Sequence, residues 1–324
     1  MSKTKIQWAT AVFNPVTGCS KISEGCKNCY AERMHTRLEH IKGSGYMDGK
    51  PHFSVRLHPE RLEEPLKWKK PQRIFVCSMG DLFHEDVPFP FVAYIYRMMA
   101  LANHHTYMIL TKRPERMRQF IEWYIERSVV EGIVSFADAY QHVLLGVTVE
   151  NQQAADERIP ILLQIPAAKR FLSIEPMVGP VDLYRAWWGK SGDPAFPWLG
   201  KNVNEWLHCV ILGGETGPKA RPLHPDWARS VRDQCQAAGV PFFFKQWGEW
   251  SSWEMLNAAV ATAQIKNGRA TGRYELKAYG KIIAKDVLRD DIASSEGGMF
   301  RVGKKAAGHL LDGKEYREWP KGGV

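Results

Sequence analysis

At 324 residues, 44% hydrophobic and 24% charged, the chain has the composition of a globular protein with room for one large domain or two smaller ones. Those proportions exclude a disordered or fibrous chain, and no apolar run approaches a membrane span. A net charge of +9 and a pI near 9.2 make a polyanionic partner plausible, and residues 1–73 carry fourteen Lys/Arg against seven Asp/Glu.

IQWATAVF (6–13) reads as a first strand. TGCSKISEGCKNCY (17–30) follows, with Cys19, Cys26 and Cys29 spaced C-x6-C-x2-C. Residues 30–41 place Tyr30, Met34, Leu38 and Ile41 on one helical face. Short, nearly continuous apolar runs then recur: RIFVCS (73–78), TYMILT (106–111), HVLLGVTV (142–149), KRFLSI (169–174), LHCVILGG (207–214) and PFFFKQ (241–246). Each suits a strand covered on both faces. Helical patterns lie between them at 89–103, at 115–131 after Pro114, and at 225–238, which Gly239 ends. Cys209 and Cys235 fall in core-facing patterns and read as small apolar fillers.

Strands alternating with helices predict an α/β fold, a partial or complete (β/α) barrel over 1–247. From 248 to 324 the chain turns basic and Gly-punctuated, and reads as an α+β extension that covers or packs on the barrel. A short helix is expected at 255–265 and a hairpin at Asp312–Gly313. Trp187, Trp188, Trp198, Trp247, Trp250 and Trp253 sit in loop-like places, where they either line a binding surface or plug gaps.

In parallel α/β folds, chemistry collects where the strands end. Here the runs finish in Ser78-Met79-Gly80-Asp81, Lys112-Arg113, Thr148 with Glu150-Asn151, Ser173 and Glu175, Gly213-Gly214-Glu215, and Lys245-Gln246-Trp247. A polar pocket at the barrel mouth is expected, although any one of these residues also suits a helix cap or a solvated loop. The cysteine loop leaves the first strand on the same face. Clustered thiols in a reducing cytoplasm are read as metal ligands, either three thiolates on a [4Fe–4S] cluster or a Cys3His zinc site with His35. A closed zinc needs no polar ring around it, whereas an iron with an open coordination position does, so the surroundings favour iron.

A three-cysteine loop after the first strand of such a barrel resembles the radical S-adenosylmethionine enzymes. More closely, FNPVTGCSKISEGCKNCYAE, FVCSMGDLFHEDVP, LTKRPERM, GVTVENQQAADERIP, LSIEPMVGPVDL, VILGGETGPKARPLHPDW and FFFKQWGEW are similar to the blocks of a phage- and prophage-associated family without an assigned function. The resemblance implies a radical-type partial barrel whose Cys19, Cys26 and Cys29 hold [4Fe–4S]. It also implies S-adenosylmethionine near Ser78, Gly80, Asp81, Thr148, Glu150, Asn151, Ser173 and Glu175, and cleavage to a 5′-deoxyadenosyl radical. Lys112, Arg113, Glu215, Lys245, Gln246 and Trp247 become candidates for substrate contact or proton transfer. The expected partners are a nucleic acid, DNA before RNA, or a nucleotide, with a cellular electron donor, in the cytoplasm of a bacterial host. Modification or repair of DNA fits. The rival reading is a non-catalytic nucleic-acid-binding protein with a structural or redox-sensing cluster, or with zinc. Two departures stand out. The usual first cysteine gap is three residues rather than six, and Ser78–Asp81 replaces the usual Gly-Gly-Glu after the second strand.

Overall fold

The computed structural model describes residues 4–41, 49, 51–128, 135–188, 203–252 and 299–320, with four short strands between 265 and 288. The strands are β1 Ala11–Phe13, β2 Val16–Thr17, β3 Arg56–Leu57, β4 Arg73–Val76, β5 Thr106–Thr111, β6 Val143–Thr148, β7 Lys169–Ile174, β8 Cys209–Gly213 and β9 Phe242–Gln246. They are followed by β10 Trp250–Ser252, β11 Ile265–Lys266, β12 Arg269–Ala270, β13 Arg273–Ala278, β14 Lys281–Leu288 and β15 Met299–Arg301. The helices are α1 Tyr30–Leu38, α2 Phe89–Leu101, α3 Pro114–Ser128, α4 Phe136–Ala139, α5 Gln152–Gln164, α6 Leu183–Trp188, α7 Pro225–Ala237 and α8 Lys304–Ala307. None among the described residues is long and apolar enough to cross a membrane.

β1, β4, β5, β6, β7, β8 and β9 form one parallel sheet in plain sequence order. Right-handed crossovers between successive strands place the connecting helices on one face and roll the sheet. The result is an α/β partial barrel, open between β1 and β9. Strand side chains alternate between two apolar clusters, as a period of two requires. Ile74, Val76, Tyr107, Ile109, Leu145, Leu172, Val210 and Phe244 join the helices in the larger cluster. Met108, Leu144, Phe171, Cys209, Ile211 and Phe243 fill the concave side. A side chain at Gly146 would meet the Phe171 ring at 2.4 Å, so that glycine is what lets the ring lie across the interior.

The first strand is shorter than the apolar run that predicted it. Residues before Ala11 turn inward, with the Ala9 N–H donating to Ile6 O at 3.2 Å. Trp8, 2% exposed, lies 4.6 Å from Phe75 and 6.5 Å from Phe171 by ring centroid, closing the barrel floor. Burial of the indole outweighs strand pairing here. α5 was not anticipated, because Pro160 lies inside it.

The C-terminal residues return to the open side. β10 pairs with β15. Leu311 bridges Lys314 across Asp312 (φ 51°) and Gly313 (φ 75°), the positive-φ pair that a tight hairpin turn needs. Phe244 N–H donates to Tyr316 O at 3.0 Å and Glu318 N–H to Phe242 O at 3.2 Å, so 316–318 run along the free edge of β9. Arg317 reaches Gln7 Oε1 at 3.0 Å, and Arg73 stacks 4.0 Å above Trp319. Trp247 is fully buried, its N–H donating to Leu310 O at 2.8 Å, so it plugs a gap and lines no surface. Trp250, partly buried, donates to Ala220 O. The expected helix at 255–265 and the side chains of Trp187, Trp188, Trp198 and Trp253 lie outside the described residues.

Candidate functional site at the barrel mouth

The cysteine loop is bent into place by backbone. Gly18 (φ 84°) donates its N–H to Met79 O at 2.9 Å, and a Cβ there would lie 2.0 Å from Ser54 O. No other residue fits that approach. Gly80 packs the same way, its missing Cβ 2.8 Å from Gly18 O. Cys19 N–H donates to Phe53 O at 3.1 Å, and Phe53 itself holds a left-handed φ of 55°. Cys26 ends a 3-10 turn and Cys29 directly precedes α1. All three cysteines are free and half-buried, and Cys19 and Cys29 pack against the same cluster of Ala31, Phe53 and Met79.

Strand-end side chains grip the loop at successive points. Arg113, after β5, donates from Nη1 to Cys19 Sγ at 3.4 Å and to Asp81 Oδ2 at 3.3 Å. Its Nη2 reaches Ser20 Oγ at 2.7 Å and its Nε reaches Glu85 at 3.0 Å. Asp81 is saturated: it also accepts from Thr111 Oγ1 at 2.7 Å, Phe83 N–H at 3.0 Å and Lys112 N–H at 3.3 Å. Burial and the Asp81 charge push the Cys19 thiol up to about 11, against the opposing Arg113.

Glu150, after β6, is fully buried. It accepts from Arg158 Nη1 at 2.8 Å and from Gly25 N–H at 3.4 Å. A Cβ on Gly25 would stand 3.1 Å from that carboxylate. Burial alone would raise the Glu150 pKa, but the Lys112 and Arg158 charges and the Ser23 hydroxyl hold it below its usual value. Cys26 behaves alike. Burial opposes its ionisation, yet Lys112 and hydrogen bonds from Ile22 and Ser23 bring its pKa below the usual thiol value.

Glu215, after β8, is 4% exposed. It accepts from Asn28 Nδ2 at 2.9 Å, Arg221 N–H at 2.8 Å and Arg221 Nη2 at 2.7 Å. Arg221 continues to Glu24 Oε2 at 3.1 Å and Glu24 O at 2.9 Å. Burial works against Glu215 ionisation, but Arg221 and Asn28 keep its pKa low.

The remaining expected residues fall elsewhere. Ser78 Oγ donates to Asn14 Oδ1 at 3.1 Å. Thr148 and Ser173 are buried at the ends of β6 and β7, and Thr148 O accepts from Arg158 at 2.8 Å. Asn151 caps α5, accepting the Ala154 N–H at 3.0 Å. Gln246 is buried beside Trp247. Glu175 and Lys245 form a pair at 2.6 Å, both side chains partly exposed, and Gly213 leaves Glu175 its room. His35 does not join the cysteines. Its Nε2 accepts from Phe53 N–H at 3.3 Å and faces Glu39. Asn28, Arg158 and Arg221 were missed. Only Arg158 had a local signal, two helical turns beyond Glu150.

The three sulfurs do not all stand within 4.8 Å of one another, as a single tetrahedral ion needs. A tetrahedral zinc holds sulfurs about 3.8 Å apart, since Zn–S is about 2.3 Å. Among the described residues, the group of three or more metal-binding side chains with donor atoms within 4.8 Å of one another is His35, Glu39 and His52, which contains no cysteine.

The sequence matches, over residues 3–320, the model of a family described as "Protein of unknown function (DUF5131)". The chain belongs to that family. No curated protein matches it. Among solved structures, the chain is similar to spore photoproduct lyase. A cysteine-to-serine variant aligns at TM-score 0.39 and 12% identity, covering 90% of this chain and 71% of that one. The lyase complexed with dinucleoside spore photoproduct aligns at 0.41 and 10% identity, with the same coverage. A double variant with bound AdoMet and dinucleoside spore photoproduct aligns at 0.41 and 11% identity, again with that coverage.

Proposed function

We propose that this chain is an iron–sulfur protein of the radical S-adenosylmethionine kind, acting on a nucleic acid or nucleotide in modification or repair. The observation that carries the reading is the loop itself. Three free, half-buried cysteines share one loop at the carboxyl ends of parallel strands, with Arg113 on Cys19 and Lys112 beside Cys26. Cys19, Cys26 and Cys29 would hold a [4Fe–4S] cluster. The cluster would supply one-electron cleavage of S-adenosylmethionine, yielding a radical that abstracts hydrogen from the substrate. The chain's own contribution is to fix the thiols, compensate their charge and exclude water. Glu175 and Lys245 are the groups best placed to receive a zwitterionic or anionic ligand, because among the described residues each side chain hydrogen-bonds only to the other. Residues 248–324 act as an extension that closes the open side of the barrel. The +9 net charge supports a polyanionic substrate.

One observation favours a second reading. Arg113, Glu150 and Glu215 spend their polar atoms on the loop, as a structural or redox-sensing cluster in a nucleic-acid-binding protein would need. Anaerobic purification, with iron and sulfide analysis followed by dithionite and S-adenosylmethionine, separates the two. The enzyme reading expects iron and sulfide near four per chain and release of 5′-deoxyadenosine, stimulated by DNA. A brown protein releasing none, with or without DNA, selects the second reading. A colourless protein without iron ends both cluster readings and leaves only the zinc form of the rival.

A further inference from the structure

At the end of α1 lies a group that the proposed chemistry does not use. His35 lies in the last turns of α1, Glu39 caps its end one turn further on, and His52 comes from a segment that packs against them. His52 Nδ1 lies 2.9 Å from Glu39 Oε2, and His35 Nε2 lies 3.6 Å from the same oxygen. All three donor atoms fall within 4.8 Å of one another. The two imidazoles meet edge to face at 5.1 Å.

We propose that His35, Glu39 and His52 form a binding site for a divalent transition metal of the zinc class. Ligands about 2.0–2.1 Å from a tetrahedral ion stand about 3.4 Å apart, so the trio needs only a small opening between His52 and Glu39. Two imidazoles and one carboxylate are a donor set of intermediate softness, suited to zinc and its neighbours rather than to magnesium or calcium. Glu39 and His52 side chains are 27% and 44% exposed, so an ion can enter from solvent and keep water in its remaining position. His35 would exchange its 3.3 Å contact with Phe53 N–H for the ion. The consequence reaches the cysteines. Phe53 O holds the Cys19 N–H and Ser54 O abuts Gly18, so an ion tying His52 to α1 clamps the segment that backs the first cysteine.

The test uses the full-length chain, purified without oxygen and titrated with cobalt(II), then with zinc. Cobalt bound by nitrogen and oxygen gives visible d–d bands without the near-ultraviolet sulfur charge-transfer absorption of a thiolate site. The expected result is one cobalt per chain of the nitrogen–oxygen type, present also when Cys19, Cys26 and Cys29 are all replaced by Ser. His52→Ala and Glu39→Gln each weaken that binding at least about tenfold, since even indirect loss of support to a metal ligand costs 10–100-fold. Zinc raises the thermal midpoint of the parent chain and leaves that of His52→Ala unchanged. Cobalt that appears only with sulfur absorption overturns the proposal, as does binding undiminished in both His52→Ala and Glu39→Gln. The readout is separate from any test of the cysteines' role, so the two can fail independently.

Discussion

Two sets of strand ends at the barrel mouth use similar residues for different ends. Below the cysteine loop, the tails of β4, β5, β6 and β8 point Asp81, Arg113, Glu150 and Glu215 at backbone, sulfur and each other. Each of the last three makes a direct contact with the loop. On either side of β8, the tails of β7 and β9 present Glu175 and Lys245, paired but partly exposed. The first group is a mount, and its charges are consumed by holding. The second is the pair that our proposal gives to a ligand. Strand ends gather polar groups in both, and only the count of satisfied hydrogen bonds separates support from binding surface.

The largest expected effect breaks the mount at its centre. Cys26→Ser should drop iron per anaerobically reconstituted chain from near four to well under one, read by iron and sulfide analysis. Next comes its pillar. Glu150→Ala leaves Arg158 charged, buried and unpaired, and breaking a buried pair of this kind costs about 3–5 kcal/mol. Denaturant unfolding should show it, while Glu150→Gln keeps the hydrogen-bonding shape and loses less. Arg113→Lys keeps the positive charge and removes the forked donors to Cys19 Sγ and Ser20 Oγ. Hydrogen bonds to sulfur stabilise the more negative, reduced cluster, so the reduction potential of the loaded protein should fall, as measured by a redox titration.

The Glu175–Lys245 pair should respond in the opposite way. Lys245→Met breaks a partly exposed pair, and such pairs contribute about 1 kcal/mol or less, so the thermal midpoint should barely move. Binding of S-adenosylmethionine or a nucleotide, followed by calorimetry, should weaken at least tenfold. A variant that unfolds instead would place this pair with the mount.

The smallest effect is in pH. The folded pKa values of Glu150 and Glu215 lie below the ordinary 4.5. Their stabilisation is therefore complete above about pH 4.5 and is lost as pH falls through the depressed values. His208 adds an earlier step. Burial lowers its pKa from 6.5 to about 4, so its contribution is complete above pH 6.5 and drains away as pH falls towards 4. Thermal midpoints across that range should decline in two stages, with Glu215→Gln blunting only the lower one.

Much of the scaffold was readable along the chain, because continuous apolar runs such as TYMILT have few structural options and fell within a residue of β5. The hairpin at Asp312–Gly313 was equally local. What escaped depended on remote partners. Trp8 lies in a run that reads as strand, but its indole is worth more on the barrel floor, beside residues 75 and 171. Within the site, the placement of residues 113, 150 and 215 at the barrel mouth was legible from where the strands stop. Their task was not, because Asn28 and Glu215 are separated by 187 positions and nothing local pairs them. Trp247 misled for a related reason: its glycine neighbour suggests a loop, while its partner, Leu310 O, arrives 63 residues later.

That separation of Asn28 from Glu215 also sets an order in time. Synthesis delivers the cysteines first and their mount piecemeal: Arg113 after 94 further residues beyond Cys19, and Glu215 last. At roughly 5–20 residues per second, on the order of 10–40 s pass between Asn28 and the carboxylate that anchors it. During that interval the loop can already meet its early backbone partners at residues 53 and 79, but its Glu215 anchor is missing. Completion of the mount must therefore wait for the far end of the barrel to arrive.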